Sequence, residues 1–172
     1  MYYIIEMERK LKDKLFITNY NQYKDKIYTY FLYRVNFNQS LAEDLTSEVF
    51  LKAYKHLDDF DNERPFQAWI YAISHNHLLN YYRTVGRELS IEDVGDIATE
   101  FKNKLEASLE LEKIVEEIYK MDGYCREVLL LRFVDALDNK EIAKLLNKDE
   151  GAVRTQISRA LSELRNKINL NL

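Results

Sequence analysis

The sequence predicts an all-α protein of two small helical domains, and three observations support this prediction. Glycine and proline are scarce, with four glycines and one proline in 172 residues, and the glycines fall between helical patterns rather than inside them. Apolar residues recur every three or four positions along most of the chain, which is the period of an amphipathic helix. This period weakens between residues 87 and 107. We therefore predict a first domain over 1–86, a linker over 87–107 and a second domain over 108–172.

Composition excludes several classes of protein. The chain is 47% hydrophobic and 31% charged, as expected of a soluble globular protein. A single cysteine excludes an intrachain disulfide and a cysteine-rich metal site, which suits a reducing cytoplasm. No apolar run approaches the roughly 18 residues of a membrane span, and the start MYYIIEMERK has acidic residues where a signal peptide would be basic. We expect a cytoplasmic protein with no membrane insertion.

The net charge of −4 limits any interaction with nucleic acid. A freestanding DNA-binding protein usually carries a basic excess that displaces counterions from the phosphates. Here the acidic excess lies mostly in residues 87–107, which hold six acidic and three basic side chains. If the protein contacts DNA, another molecule must therefore supply most of the affinity.

The first domain begins with two predicted helices, over residues 6–17 and 20–35. Their spacing predicts the following core contacts: Leu11, Leu15, Tyr23, Ile27, Tyr30, Phe31 and Val35. A further helix is predicted to begin near Leu41, because Ser40 and Glu43 have the spacing of a capping box.

The helix that begins near Leu41 has two different faces. Apolar residues four apart, from Leu41 to Leu57, form a stripe that packs on the rest of the domain. The other side carries Asp44, Glu48, Leu51 and Lys55. An apolar Leu51 among charges indicates either a surface that binds a partner helix or a solvated face with one stray leucine.

A polar break, DDFDNER, separates this helix from the next one. Phe60 is the one aromatic residue in the break, and Pro65 suits the first position of the following helix. In that helix Asn76 and Asn80 are in angular register with the apolar side. Buried amides need hydrogen-bond partners, so these two either hold the loop or face a ligand with hydrogen-bonding edges, such as a nucleobase.

The second domain begins with two predicted amphipathic helices. The first is stopped near Gly123, and the residues that define the pair are Leu111, Ile114, Val115 and Ile118, followed by Val128, Leu129, Leu131 and Phe133.

A helix-turn-helix is predicted next. Asp138 and Glu141 have capping-box spacing, Asn147 suits the left-handed end of a short helix, and Asp149 suits the N-cap of the last one. The outward side of that last helix carries Arg154, Thr155, Gln156 and Arg159. These groups can donate to phosphates or read base edges in a major groove. The alternative is the exposed face of a small helical bundle.

Both segments together resemble the extracytoplasmic-function (ECF, group IV) sigma factors of bacterial RNA polymerase, over nearly the whole chain. AEDLTSEVFLKAYKHLDDFD followed by FQAWIYAISHNHLLNYYR resembles the second conserved region of that family. EIAKLLNKDEGAVRTQISRALSELR resembles its fourth-region helix-turn-helix. The two motifs occur in the order and separation of the family.

The resemblance implies a promoter-specificity subunit whose partners are core RNA polymerase, promoter DNA and an anti-sigma factor, with no cofactor. The second domain would bind the polymerase flap, and the acidic linker would run toward the RNA exit channel. The clamp helices would contact Asp44, Glu48, Leu51 and Lys55. A flipped non-template base of the minus-10 element would be captured by Phe60, Asn62, Arg64, Asn76 and Asn80. The minus-35 duplex would be read by Arg154, Thr155, Gln156 and Arg159.

Three departures from the family pattern affect DNA binding rather than the fold. The end of the first domain, NYYRTVGRE, has few of the usual basic residues. Asn147 and Lys148 stand where the family favours glycine and an apolar residue, and Gln156 stands where arginine is common. The resemblance therefore implies the fold but does not determine the base preference at the upstream hexamer.

Two alternative functions come from other classes of protein. One is a sigma-like decoy that binds a partner protein instead of promoter DNA, and the other is a freestanding helix-turn-helix regulator. We predict no enzyme, because the sequence around His56, His75 and His77 shows no convincing cluster of acid, nucleophile or metal ligands. No catalytic residue and no metal ligand is expected.

Overall fold

The computed structural model describes residues 2–61, 63–85 and 109–170, and all regular secondary structure in these residues is helical. This confirms the predicted all-α class. The chain forms two compact units, residues 1–88 and 89–172. The predicted linker, 87–107, lies outside the described residues. No helix in the described part of the chain is long and apolar enough to span a bilayer.

The described residues of the first unit form three α-helices, named here α1 (Tyr2–Leu32), α2 (Gln39–Lys55) and α3 (Phe66–Val85), and a short 3₁₀ turn at Leu57–Asp59. The prediction of two helices before residue 35 was wrong, because α1 is continuous. At the predicted break, the Thr18 hydroxyl and the Asn19 amide donate to the carbonyls of Lys14 and Leu15, at 2.9 and 3.0 Å. These polar side chains thus bond back to the preceding turn of the helix and do not interrupt it.

The inner side of α1 packs on α2 and α3. Five of the seven core residues predicted for α1 and the turn after it are buried: Tyr23, Ile27, Tyr30, Phe31 and Val35. The prediction was wrong for Leu11 and Leu15, which are 70% and 40% exposed. At this end of α1 the side that faces α2 carries Phe16, whose ring centroid lies 5.1 Å from that of Tyr54. Leu11 and Leu15 occupy other sides of the helix.

The end of α1 is tied to α3 by Arg34, a buried cation. Its guanidinium lies over the Tyr30 ring, 3.8 Å from the centroid, and donates to the Tyr30 carbonyl at 2.9 Å. The Tyr82 hydroxyl of α3 donates to the carbonyl of Arg34. Contacts of the charge with a ring face and a carbonyl offset its loss of hydration.

Helix α2 begins earlier than predicted and uses a different cap. Asn38 is the N-cap, and its Oδ1 accepts from the backbone N–H of Leu41 at 3.1 Å. The Ser40–Glu43 capping box was therefore wrong. The chain reaches this cap through Asn36 and Phe37, whose φ angles of 61° and 57° reverse its direction before the helix starts.

The second unit contains α4 (Leu109–Tyr119), α5 (Gly123–Leu129), α6 (Asn139–Leu146) and α7 (Glu150–Leu170). The first of these helices ends at Tyr119, shortly before the predicted stop near Gly123, and Gly123 itself opens α5, where Asp122 is the cap. A π-helical turn, Leu130–Val134, continues α5. Its wider winding changes the angular register, and Phe133, predicted to be core, is 60% exposed.

The helix-turn-helix of α6 and α7 is confirmed. Asp138 and Glu141 form the predicted capping box with two bonds of 2.8 Å. Asn147 adopts the left-handed conformation, with φ and ψ both 51°. Asp149 accepts from the Ala152 N–H at 3.1 Å. Side chains spaced along the inner side of α7 are buried: Val153, Ile157, Ala160 and Leu164.

We predict that Asn38→Ala lowers the free energy of unfolding of the first unit by about 1 kcal/mol, because the first turn of α2 loses its cap. Ser40→Ala is the matched control, since Ser40 is exposed and does not cap the helix. Urea unfolding followed by the fluorescence of Trp69, the single tryptophan, measures both changes. A larger loss for Ser40→Ala would contradict the assigned cap.

Candidate nucleic-acid and protein interfaces

The outer face of α2 is the first candidate surface. Asp44, Glu48, Leu51 and Lys55 are all exposed, and Leu51 has 54% of its surface accessible. The opposite side of α2 is committed to the core through Ala42, Leu45, Val49, Phe50 and Ala53. Leu51 therefore lies outside the core of the first unit, and of the four residues Glu48 also approaches a side chain of α3, with 2.9 Å between its Oε2 and Nε2 of His77.

An aromatic cluster fixes the loop between α2 and α3. The Phe60 ring lies 4.7 Å from the Trp69 ring and 5.5 Å from the Phe66 ring, measured between centroids. Phe66 in turn contacts Tyr23 of α1, at 5.6 Å. Phe60 is half-buried by these contacts, so the loop aromatic is held against the start of α3.

Two other residues of this loop were predicted to contact DNA. Arg64 is exposed and pairs with Asp61, with 3.1 Å between Nε and Oδ2. Asn62 lies outside the described residues. The backbone around Arg64 is organised by Asp61, whose carbonyl accepts from the Arg64 N–H at 2.9 Å.

The placement of Asn76 and Asn80 differs from the prediction. Both were expected on the buried side of α3, but both are exposed. The buried side of α3 is formed by other residues: Phe66, Ile70, Tyr71, Ser74, His77 and Leu78. Trp69 and Ile73, which share the angular position of the two asparagines, are only half-buried. The amides are thus available to solvent and do not hold the loop.

The outward face of α7 is the third candidate surface. Arg154, Thr155 and Arg159 are exposed, and the Thr155 hydroxyl donates to the Gly151 carbonyl at 2.9 Å. Ser158, one turn after Arg154, is also exposed on this side. Ser158 was not among the residues predicted for this face, although its i+4 spacing from Arg154 places it there.

Gln156 does not lie on this outward face, contrary to the prediction. It is half-buried, and its Nε2 lies 3.1 Å from Sγ of Cys125, to which it donates. The side chain sits at the flank of α7 because the packing of α5 against α7 covers that side. Burial raises the pKa of the Cys125 thiol, as does the neighbouring carboxylate of Asp122. The thiol therefore stays protonated at neutral pH.

A charged cluster at the α2–α3 contact was also missed. His77 of α3 is 9% exposed. Its Nδ1 lies 2.6 Å from Nζ of Lys52, and its Nε2 lies 2.9 Å from Oε2 of Glu48. Burial lowers the pKa of His77 and Lys52 lowers it further, while Glu48 acts in the opposite direction. The sequence alone could not pair His77 with α2, because the pairing depends on how the two helices pack.

The other two histidines are separate from this cluster. Nδ1 of His75 lies 3.2 Å from the Tyr30 hydroxyl, and His56 pairs with Asp59 at 3.0 Å. Within the described ranges, no three histidine, cysteine or acidic side chains are grouped so as to hold a metal ion.

Two family models match this chain, one in each of its two units. Residues 20–88 match sigma-70 region 2, and residues 111–164 match sigma-70 region 4. The first match contains the outer face of α2, the Phe60 loop and α3. The second contains the helix-turn-helix.

Curated relatives agree with the two matched regions. The ECF RNA polymerase sigma factor SigW of Bacillus subtilis is 33% identical over 159 residues, covering 85% of this chain and 84% of SigW. The ECF sigma-E factor of Escherichia coli strain K12 is 33% identical, covering 73% and 72%. BldN of Streptomyces coelicolor is 30% identical, covering 84% of this chain but only 57% of BldN.

Two solved structures share the fold. RpoE of Bartonella quintana, solved with the anti-sigma factor NepR, has a TM-score of 0.72 at 18% identity, covering 92% of this chain and 99% of RpoE. CnrH, solved with the cytosolic domain of CnrY, has a TM-score of 0.67 at 24% identity, covering 93% of this chain and 91% of CnrH. From the two matched regions and the identity to SigW, we conclude that this chain belongs to the ECF RNA polymerase sigma factors.

Proposed function

We propose that this chain binds core RNA polymerase and directs promoter-specific transcription initiation, as a non-catalytic subunit in the cytoplasm. One observation carries the proposal. Three surfaces of suitable chemistry, on α2, around Phe60 and on α7, are exposed in units that match the two sigma regions in order. The first unit would bind polymerase and the minus-10 element, and the second the minus-35 element and the polymerase flap.

The outer face of α2 is the proposed contact with the polymerase clamp helices. An exposed leucine surrounded by Asp44, Glu48 and Lys55 suits a helical partner that buries the apolar side chain and pairs with the charges around it. The charges would set orientation and partner choice, because like charges across the contact are unfavourable.

The surface around the aromatic loop is the proposed site for a flipped base of the melted minus-10 strand. Phe60 and Trp69 form an aromatic wall, and the exposed amides of Asn76 and Asn80 each offer a donor and an acceptor to a base edge. Arg64 and Asn62 would contact the strand beside it. Exposure of both amides supports this proposal better than the buried placement predicted from spacing.

The outward face of α7 is the proposed reader of the minus-35 duplex. Arg154, Thr155 and Arg159 are the donors, and Ser158 adds a fourth polar group between them. The Gln156 amide donates to Cys125 and is therefore not directed at the bases. We assign Gln156 no base contact in this arrangement. Its position at the flank suits a phosphate contact at the groove edge.

An anti-sigma factor is the further proposed partner. The similar structures of RpoE and CnrH were solved with the anti-sigma factor NepR and with the cytosolic domain of CnrY. A protein that covers the α2 face or the α7 face would prevent the corresponding contact. The acidic linker is proposed to follow the path toward the RNA exit channel.

We predict that the isolated full-length chain does not bind promoter duplex tightly at physiological salt, whereas its complex with core polymerase does. The net charge of −4 gives too little release of counterions for strong binding alone. Mobility-shift titrations with and without core polymerase provide the measurement. Tight sequence-specific binding by the chain alone would instead identify a freestanding regulator.

We predict that Leu51→Asp weakens binding to core polymerase by about 2 kcal/mol, as expected for a central apolar contact. Helical content and cooperative melting should be unchanged, because Leu51 is exposed. Leu11→Asp is the matched control, since Leu11 is also exposed but lies on α1 away from the α2 contact. Equal binding by the Leu51 and Leu11 variants would contradict the assigned face.

We predict that Arg159→Ala and Asn80→Ala fail at different steps of initiation. Arg159→Ala should weaken the closed complex, with a loss of roughly 1–3 kcal/mol in base discrimination. Asn80→Ala should impair the open complex, since its base is available only after melting. A template with a pre-melted bubble removes the cost of opening, so it should partly rescue Asn80→Ala and not Arg159→Ala. An equal response of both variants, with folding and core binding intact, would refute this division of roles.

A further inference from the structure

His77 joins two exposed side chains of α2 to the buried core of the first unit. Glu48 and Lys52 are one helical turn apart on α2, and the His77 ring lies against both, at 2.9 and 2.6 Å. The side chain of Glu48 is 59% exposed, whereas that of His77 is 10% exposed. The Phe31 ring of α1 meets His77 edge-on, with 6.4 Å between centroids. The buried imidazole therefore restricts the positions of the exposed Glu48 and Lys52 side chains.

The contacts assign the proton on the ring. An ammonium group can only donate, so Lys52 donates to Nδ1 and the proton of the neutral ring is on Nε2. Nε2 has no aligned hydrogen-bond acceptor, and the nearest carboxylate oxygen, Oε2 of Glu48, lies 2.9 Å away. The carboxylate of Glu48, the neutral imidazole of His77 and the ammonium group of Lys52 then form one row of contacts across one turn of α2.

We propose that His77 is a positioning residue of the α2 outer face, whose neutral ring holds Glu48 and Lys52 in the arrangement presented to core polymerase. This inference rests on the proposed function of that face. Glu48 is one of the four surface residues of the face, and Lys52 directly follows Leu51. His77 contacts no partner itself. It acts by limiting the positions of two charges beside the exposed leucine.

The proposal makes the face sensitive to pH. The charged groups that act on the ring are Glu48 and Lys52, both from α2, and the α1 residue that meets it is the uncharged Phe31. Protonation of Nδ1 turns the acceptor of Lys52 into a donor, so the two cations repel and Lys52 is released. The pKa of His77 is lowered in the folded state. The neutral ring therefore stabilises the protein above about pH 6.5, and this contribution is lost as the pH falls through the His77 pKa of the folded protein.

The first test needs no polymerase. Full-length protein with labelled histidine is titrated by NMR, which reports the tautomer and pKa of each of the three histidines. We expect the Nε2–H tautomer for His77, a higher pKa in Lys52→Met, and a lower one in Glu48→Gln. Both variants change exposed positions, so the fold should persist. Shifts of the same sign, or none, would overturn the assigned contacts.

The second test is binding to core polymerase at pH 7.5 and at one pH unit below the His77 pKa that the NMR titration gives, because that pKa is lowered from its ordinary value. We expect wild type to weaken about threefold at the lower pH, the effect of one partly exposed charge pair. His56→Gln, at an exposed histidine, should keep this ratio, whereas Lys52→Met and a folded His77→Gln should bring it close to one. An unchanged ratio in both latter variants would overturn the positioning role. Failure of wild type to bind at either pH would refute the proposed function itself, and the NMR shifts would still decide the contacts.

Discussion

Burial of one stripe of α2 is the constraint on which the first unit depends. Helix α2 packs against both α1 and α3, and this contact uses the stripe from Ala42 to Ala53. A helix committed to the core on one side must present its remaining residues to water or to a partner. The same packing places His77 beside α2 and turns the far side of α3, with Asn76 and Asn80, outward. The proposed protein and nucleic-acid surfaces therefore follow from one hydrophobic contact.

The charge balance suits a protein that binds DNA together with a partner that supplies most of the affinity. The chain has 25 basic and 29 acidic side chains, so phosphate attraction alone gives little affinity. Its candidate DNA contacts are few and local, with Arg154, Arg159 and Arg64 as the exposed cations among them. In such a division, the partner supplies affinity and this chain supplies discrimination between sequences.

The sequence predicted what depends on local pattern and spacing. The all-α class, the capping box at Asp138 and the left-handed Asn147 were confirmed, because each is determined within a few residues. The predictions that failed depend on neighbours that are distant in sequence. Leu11 has helical periodicity but no helix covers it, Gln156 is turned toward Cys125 by α5, and the buried side of α3 is set by its contacts with α1 and α2. The cap at Asn38 was missed because the turn before it could not be predicted.

The aromatic contacts of Phe60 have a consequence for the entropy of strand capture. A loop that is disordered before binding loses about 1–2 kcal/mol of backbone entropy for each residue that becomes fixed. Phe60 is held by ring contacts with Phe66 and Trp69 of the same chain, so the protein itself orders that part of the loop. In the proposed base capture, most of the conformational entropy lost on binding would then be that of the unstacked nucleotide. The selectivity of the site would reflect how readily each base leaves its stack.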